Sequence, residues 1–182
     1  QHAFEEARAA GIEEFIFVSG RNKEMLEEHF DYQPELMETL LARGKADMVE
    51  RVRDSEMPEG KLFLTRQARP LGLGHAIWCA RKLIGDEPFA VMLVDDVVLS
   101  DTPCLKQMID RYADVPRADT AKYGVLDIAS ENGNLAEIAG LVEKPKPEDA
   151  PSTLSVIGRY ILQPEIFEYL SQFNKGAGDE IQ

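Results

Sequence analysis

Residues 89–96, FAVMLVDD, place six apolar residues directly before two aspartates. An apolar run of this length with an abrupt polar end is typical of a strand buried on both faces of a sheet. Such strands occur mostly in parallel sheets covered by helices, where ligands bind beyond the carboxyl ends of the strands. The stretch therefore predicts an α/β fold and places Asp95 and Asp96 at the ligand-binding edge.

The segments on either side alternate between helix and strand patterns. The helix patterns cover residues 1–10 before Gly11, 23–30 behind an Asn22 cap, 34–52 as one long helix, 74–84, and a last helix opened by Pro164. Strand patterns cover residues 15–18, 61–67, 124–128 and 154–162. This alternation predicts a doubly wound, mostly parallel, Rossmann-like mixed sheet. Because no linker or repeat divides the chain, residues 1–182 are expected to form a single domain.

Composition excludes several classes of protein. The 20 Lys and Arg residues stand against 33 Asp and Glu residues, and the net charge of −13 argues against a nucleic-acid-binding surface. No apolar run approaches a membrane span, and the first residues lack the pattern of a signal peptide, so we expect no membrane partner and a cytoplasmic location. The two cysteines and three histidines do not form a zinc-ligand set.

The strand-end aspartates favour a metal site. Mg²⁺ is commonly held by one or two carboxylates while substrate phosphates complete its oxygen shell. The alternative is a pair of acids in a solvated loop or a helix cap. The position of Asp95 and Asp96 at the end of a buried strand favours the metal.

Two further segments carry candidate binding residues. In residues 66–76, RQARPLGLGHA, glycines between a strand and a helix allow a ligand to approach the backbone and the helix N-terminus. The third glycine of a dinucleotide-binding motif is absent. In residues 141–149, LVEKPKPED, Glu143 is suited to sugar hydroxyls and Lys144 to a phosphate, although a charged surface loop is the commoner fate of such a segment.

Taken in order, these segments resemble those of the bacterial UTP–glucose-1-phosphate uridylyltransferases, which are sugar nucleotidyltransferases. The resemblance runs through GRNKEMLEEHFD, TRQARPLGLGHAIWCAR, EPFAVMLVDDVVL, YGVLDI, LVEKPKPEDAPS, VIGRYIL and GAGDEIQ. It implies a nucleotidyltransferase fold of the glycosyltransferase-A-like type. It also implies conversion of UTP and glucose 1-phosphate to UDP-glucose and pyrophosphate with Mg²⁺, in a homo-oligomer that is a dimer or a tetramer.

The resemblance assigns a role to individual positions. Catalytic roles fall on Asp95, which would hold Mg²⁺, and on Lys144, which would contact the sugar phosphate. The remaining positions would bind substrate: Gln67 and Gly72 at the uracil, Asp96 near the nucleotide-sugar, and Gly124, Glu143 and Val156 around the hexose.

The same resemblance predicts that the domain is part of a longer molecule. The family's glycine-rich phosphate loop would precede Gln1, and a second metal-binding aspartate would follow Gln182. The family also has a core strand between the segments RYAD and VPRADTAKYG, and the sequence skips it near residues 114–116.

Three alternatives remain open at this stage. The chain could be a thymidylyltransferase, although the helical insertion after HFD and the GLGHA segment favour the uridylyl type. It could be a non-catalytic module that binds a nucleotide-sugar. It could also be an interaction domain whose acidic helical region 34–52 binds a partner, a hypothesis that leaves the ordered motifs unexplained.

Overall fold

A computed structural model describes residues 1–112, 125–133, 135–142, 149–152 and 156–172. The helices are α1 (His2–Ala9), α2 (Glu24–Phe30), α3 (Pro34–Ala42), α4 (Ala46–Ser55), α5 (Leu73–Ile84), α6 (Cys104–Tyr112) and α7 (Ile166–Leu170). The strands are β1 (Phe15–Ser19), β2 (Leu62–Arg66), β3 (Phe89–Met92), β4 (Val125–Asn132), β5 (Leu135–Val142) and β6 (Arg159–Leu162). None of these helices is long and apolar enough to cross a membrane.

The described strands form three pairs, one parallel and two antiparallel. Strand β1 pairs in parallel with β2, with Phe15 opposite Leu62 and Ser19 opposite Arg66. Strand β3 runs antiparallel to β6, and β4 runs antiparallel to β5. The described strands thus form three two-stranded sheets, and the parallel one brings the carboxyl ends of β1 and β2 to the same edge.

Helices cover both faces of strand β3, because its side chains alternate between two apolar clusters. Ala90 and Met92 pack against the cluster that contains Phe4 of α1 and Leu105 of α6. Phe89 and Val91 pack against the cluster around Ile77 of α5, with Leu162 and Leu170. This two-sided packing is the layered arrangement that the alternation of segments predicts.

The long helix predicted over residues 34–52 is wrong. It is two helices, α3 and α4, separated by a turn at Gly44, whose φ of 66° lies in the left-handed region. The predicted Asn22 cap is also wrong, because Lys23 precedes the first helical residue of α2 and Asn22 itself has a φ of 59°. Both errors lie at a residue with positive φ, which a helical pattern in the sequence does not reveal.

The hairpin of β4 and β5 was not predicted as a unit. A turn signal was present, since Gly133 directly follows Asn132, the last residue of β4, and has the positive φ of 62° that hairpin turns favour. Strand β3 is also less buried than its composition predicts. All four of its residues are only half-buried, and Val94 just beyond it is 79% exposed.

Candidate active site

Gln67 lies at the shared carboxyl edge of β1 and β2. It follows the last residue of β2, and its backbone N–H donates to the carbonyl oxygen of Ser19 at 2.9 Å. The parallel register continues one residue past the strands, which places the Gln67 side chain at the edge where α/β proteins bind ligands.

The Gln67 side chain is held by the turn that opens α5. Its Nε2 donates to the carbonyl oxygen of Gly72 at 2.9 Å and lies 3.0 Å from Nδ1 of His75. Gly72 precedes the helix with a φ of 100°, a conformation that glycine adopts without strain. Helix α5 packs on β1 and β2 and carries Ile77 into the cluster with Phe89 and Val91 of β3. Helix α5 thus connects this turn to the β1–β2 pair and to the β3–β6 pair.

The second half of the site is the end of β3. Asp95 is exposed, whereas Oδ2 of Asp96 accepts the backbone N–H of Gly158 at 2.7 Å. The backbone N–H of Leu93 donates to the carbonyl oxygen of Gly158 at 2.8 Å. A Cβ added to Gly158 would lie 2.5 Å from Asp96 Oδ2 and 2.5 Å from Leu93 Cβ, so this contact requires glycine.

A buried ion pair contacts the backbone just after the end of β3. Arg159, whose side chain is 1% exposed, donates from Nη2 to Glu6 Oε2 at 2.8 Å and from Nη1 to the carbonyl oxygens of Leu93 and Gly158, each at 2.9 Å. Glu6 also accepts the backbone N–H of Leu105 at 3.1 Å.

These contacts shift both ionisation equilibria. The hydrogen bond from Arg159 lowers the pKa of Glu6, against the opposing effect of burial. The hydrogen bond to Glu6 raises the pKa of Arg159. The pair therefore stays charged at neutral pH and links α1 to the strand end that carries Asp95 and Asp96.

The donor set at this edge fits a hard cation that is shared with a substrate. Among the described residues no group of three or more His, Cys, Asp or Glu side chains could hold a metal by itself. Asp95 is an exposed carboxylate at a strand end, and one carboxylate together with phosphate oxygens is a common environment for Mg²⁺. A cation at Asp95 would therefore depend on a bound phosphate for much of its coordination.

The structure covers five of the eight predicted site residues. Gln67 and Gly72 are in direct contact, and Asp96 contacts Gly158, two residues after the half-buried Val156. Asp95 lies next to Asp96 at the end of β3. Gly124, Glu143 and Lys144 lie outside the described residues, as do residues 114–116, where the sequence skips the family's core strand.

Sequence reasoning missed three residues that shape this edge: His75, Glu6 and Arg159. A signal existed for Arg159, because a charged residue inside the apolar segment VIGRYIL needs a buried partner. No local pattern marks Glu6 as that partner, since 153 residues separate the two.

A surface cleft of about 360 Å³ lies elsewhere, between α2 and α3. None of the predicted site residues lines it. Its three carboxylates are unsuited to phosphates, so the strand ends remain the better candidate for a site. The lining residues are Glu28, Asp31, Tyr32, Gln33, Glu35 and Leu36.

Comparison with known proteins agrees with this architecture. The chain is 47% identical over 192 aligned residues to a UTP–glucose-1-phosphate uridylyltransferase of Staphylococcus epidermidis. The alignment covers all of this chain and 66% of that protein. It thus spans just under two thirds of the length of this curated relative. It also resembles the crystal structures of an apo UDP-glucose pyrophosphorylase (TM-score 0.85, 40% identity) and of one complexed with UDP-glucose (TM-score 0.80, 39% identity). Each match covers all of this chain and 70% of the solved chain.

The family model described as nucleotidyl transferase matches residues 1–181. This match, the high identity over the whole chain and the structural neighbours confirm the α/β fold predicted from the strand-end pattern and the nucleotidyltransferase type implied by the resemblance. The chain therefore belongs to the nucleotidyl transferase family.

Proposed function

We propose that this protein transfers a uridylyl group from UTP to glucose 1-phosphate, giving UDP-glucose and pyrophosphate. The observation that carries the proposal is the identity of 47% along the whole chain to a UTP–glucose-1-phosphate uridylyltransferase. The contacts of Gln67 with the turn before α5, and of Asp96 with Gly158, add physical support. Both contacts lie beyond the carboxyl ends of strands, and they involve an amide suited to a base and a carboxylate suited to a metal-bound phosphate.

The reaction needs no protein nucleophile. A phosphate oxygen of glucose 1-phosphate attacks the α-phosphorus of UTP in line, and the bond from that phosphorus to the pyrophosphate leaving group breaks. Catalysis in such a transfer rests on positioning and on offsetting negative charge. Gln67 and Gly72 would hold the uracil, while Lys144 would contact the sugar phosphate. Gly124, Glu143 and Val156 would surround the hexose.

A divalent cation belongs to the proposal, with Mg²⁺ as the expected ion. Asp95 would hold it, and Asp96 would stay near the nucleotide-sugar because the Gly158 N–H fixes one of its oxygens. When bound, such a cation offsets charge on the phosphate oxygens.

The deciding experiment is a pyrophosphate-release assay with glucose 1-phosphate and UTP, dTTP or CTP, with and without EDTA. We expect turnover with UTP that EDTA abolishes. A clear preference for dTTP would assign the protein to the thymidylyl type instead. Calorimetric binding of UDP-glucose with no forward or reverse reaction would identify a binding module, and metal-independent turnover would refute the role of Mg²⁺.

The domain organisation stays a prediction: one nucleotidyltransferase domain within a longer polypeptide. Intact mass spectrometry of the natural protein tests it, because a measured mass near the 20.4 kDa of this chain would contradict it. Assembly as a dimer or a tetramer is likewise a prediction, which sedimentation would test.

A further inference from the structure

The orientation of the Gln67 side-chain amide is fixed by two acceptors. The carbonyl oxygen of Gly72 accepts hydrogen bonds only, so the atom 2.9 Å from it must be the amide nitrogen Nε2 and not the oxygen Oε1. The same nitrogen lies 3.0 Å from Nδ1 of His75. Since an amide nitrogen carries two hydrogens, these contacts use both of them.

This arrangement determines the tautomer of His75. A nitrogen that receives an N–H from Gln67 must present a lone pair, so Nδ1 is unprotonated and the ring proton lies on Nε2. With both amide hydrogens committed, Oε1 is the atom of Gln67 left to receive a hydrogen bond from a ligand.

We propose that His75 is a positioning residue that, with the Gly72 carbonyl, holds Gln67 so that Oε1 accepts from a ring N–H of the bound base. The proposal rests on the proposed function, in which Gln67 contacts the base. Uracil carries a hydrogen on ring nitrogen N3. Cytosine has a lone pair at the same position, and two facing acceptors leave both groups unsatisfied. His75 thereby makes the site selective for UTP over CTP without itself touching the nucleotide.

The surroundings of His75 keep its ring in place. It lies in the first turn of α5, and its ring is stacked on that of Trp78, with centroids 6.1 Å apart and planes inclined by 22°. The guanidinium of Arg81 lies 3.4 Å from the centre of the Trp78 ring. Cys79 Sγ is 3.9 Å from Nδ1. Trp78 and Cys79 of the same helix thus contact the imidazole and limit its rotation, and Arg81 packs on Trp78.

The first test measures base preference by calorimetry with UTP and CTP in the presence of Mg²⁺. We expect His75→Ala to reduce the ratio of UTP to CTP affinity by about tenfold, the size expected for one unsatisfied polar contact. His75→Asn supplies an acceptor oxygen at a similar reach and should restore most of the ratio. His2→Asn, at an exposed position in α1, is the matched control and should leave it unchanged.

An unchanged ratio in His75→Ala would overturn the proposal, because a residue of purely structural importance would weaken both nucleotides alike. A second measurement does not depend on the proposed function: nitrogen NMR of the imidazole should show the Nε2–H tautomer of His75 at neutral pH. The Nδ1–H tautomer would overturn the inference whatever the nucleotides do. Equal binding of UTP and CTP by the wild-type protein would instead refute the proposed base recognition while the NMR result stands.

Discussion

Replacing Arg159 by methionine should destabilise the protein strongly. The Arg159 side chain is 1% exposed and that of Glu6 is 10% exposed, so the ion pair lies almost wholly out of water. Methionine keeps much of the volume but removes every donor. Glu6 would remain as a nearly buried carboxylate with only the Leu105 N–H, and the carbonyl oxygens of Leu93 and Gly158 would each lose a hydrogen bond.

The expected cost is about 3–5 kcal/mol of unfolding free energy, the range for removing one partner of a buried ion pair. With a urea dependence of about 2 kcal/mol per molar, the midpoint of unfolding should fall by roughly 1.5–2.5 M. Trp78, the only tryptophan, packs on the cluster around Ile77 and provides the fluorescence signal. Arg51→Met, at an exposed position in α4, is the control and should change stability by less than about 0.5 kcal/mol.

The pH dependence gives an independent check on the charge. Arg159 lowers the pKa of Glu6 below its ordinary 4.5, so the stabilisation is fully present above that pH and is lost as the pH falls through the lowered value. The difference in unfolding free energy between wild type and Arg159→Met should therefore persist at pH 7 and become smaller below pH 4.5. Adding Glu6→Gln to Arg159→Met should recover part of the loss, because the lone charge is gone. A loss under about 1 kcal/mol at pH 7, or a gap that does not change with pH, would refute the role of the ion pair.

Three further predictions concern the strand ends and the thiols. Asp95→Asn should weaken Mg²⁺-dependent UTP binding about tenfold or more in calorimetry. Its free energy of unfolding in urea should stay within about 0.5 kcal/mol of wild type, since Asp95 is exposed. Unchanged UTP binding would refute the proposed role of Asp95 in the metal site. Gly158→Ala should cost about 1–3 kcal/mol in urea unfolding because its Cβ would meet Asp96 Oδ2 at 2.5 Å, and wild-type stability would contradict the tight contact. Burial raises the pKa of the Cys79 and Cys104 thiols, so iodoacetamide at pH 8 should modify them more slowly than in urea. Equal rates in the two conditions would contradict that shift.

The sequence was sufficient where a local pattern dictates local structure. The apolar run 89–94 predicted a strand end, and β3 ends within it at Met92. The glycines near residue 72 predicted a helix start, and α5 begins at Leu73. The turn at Gly44 was missed because Leu41 and Val49 on either side of it keep a helical spacing, so the break depends on a single backbone conformation.

The contacts that orient the site residues could not be predicted from local sequence patterns. The Glu6–Arg159 pair joins residues at opposite ends of the described chain, and no periodicity relates them. The contact between Gln67 and His75 spans only eight residues, but it depends on the positive φ of Gly72 folding the loop back on itself. The sequence thus predicted the groups that would meet a ligand, which stays a prediction, but not the groups that orient them.

The charges at the end of β3 give a physical reason for the proposed cation at this site. Arg159 contacts the backbone at this strand end, but Nε, Nη1 and Nη2 all donate within the protein. Its charge is matched by Glu6 and is not available to a phosphate. Asp95 and Asp96 are the groups exposed there, and both repel a triphosphate. A divalent cation held by Asp95 would offset that repulsion, because it would supply two positive charges. In the proposed function, UTP would therefore bind at this edge of a chain with a net charge of −13 together with the cation.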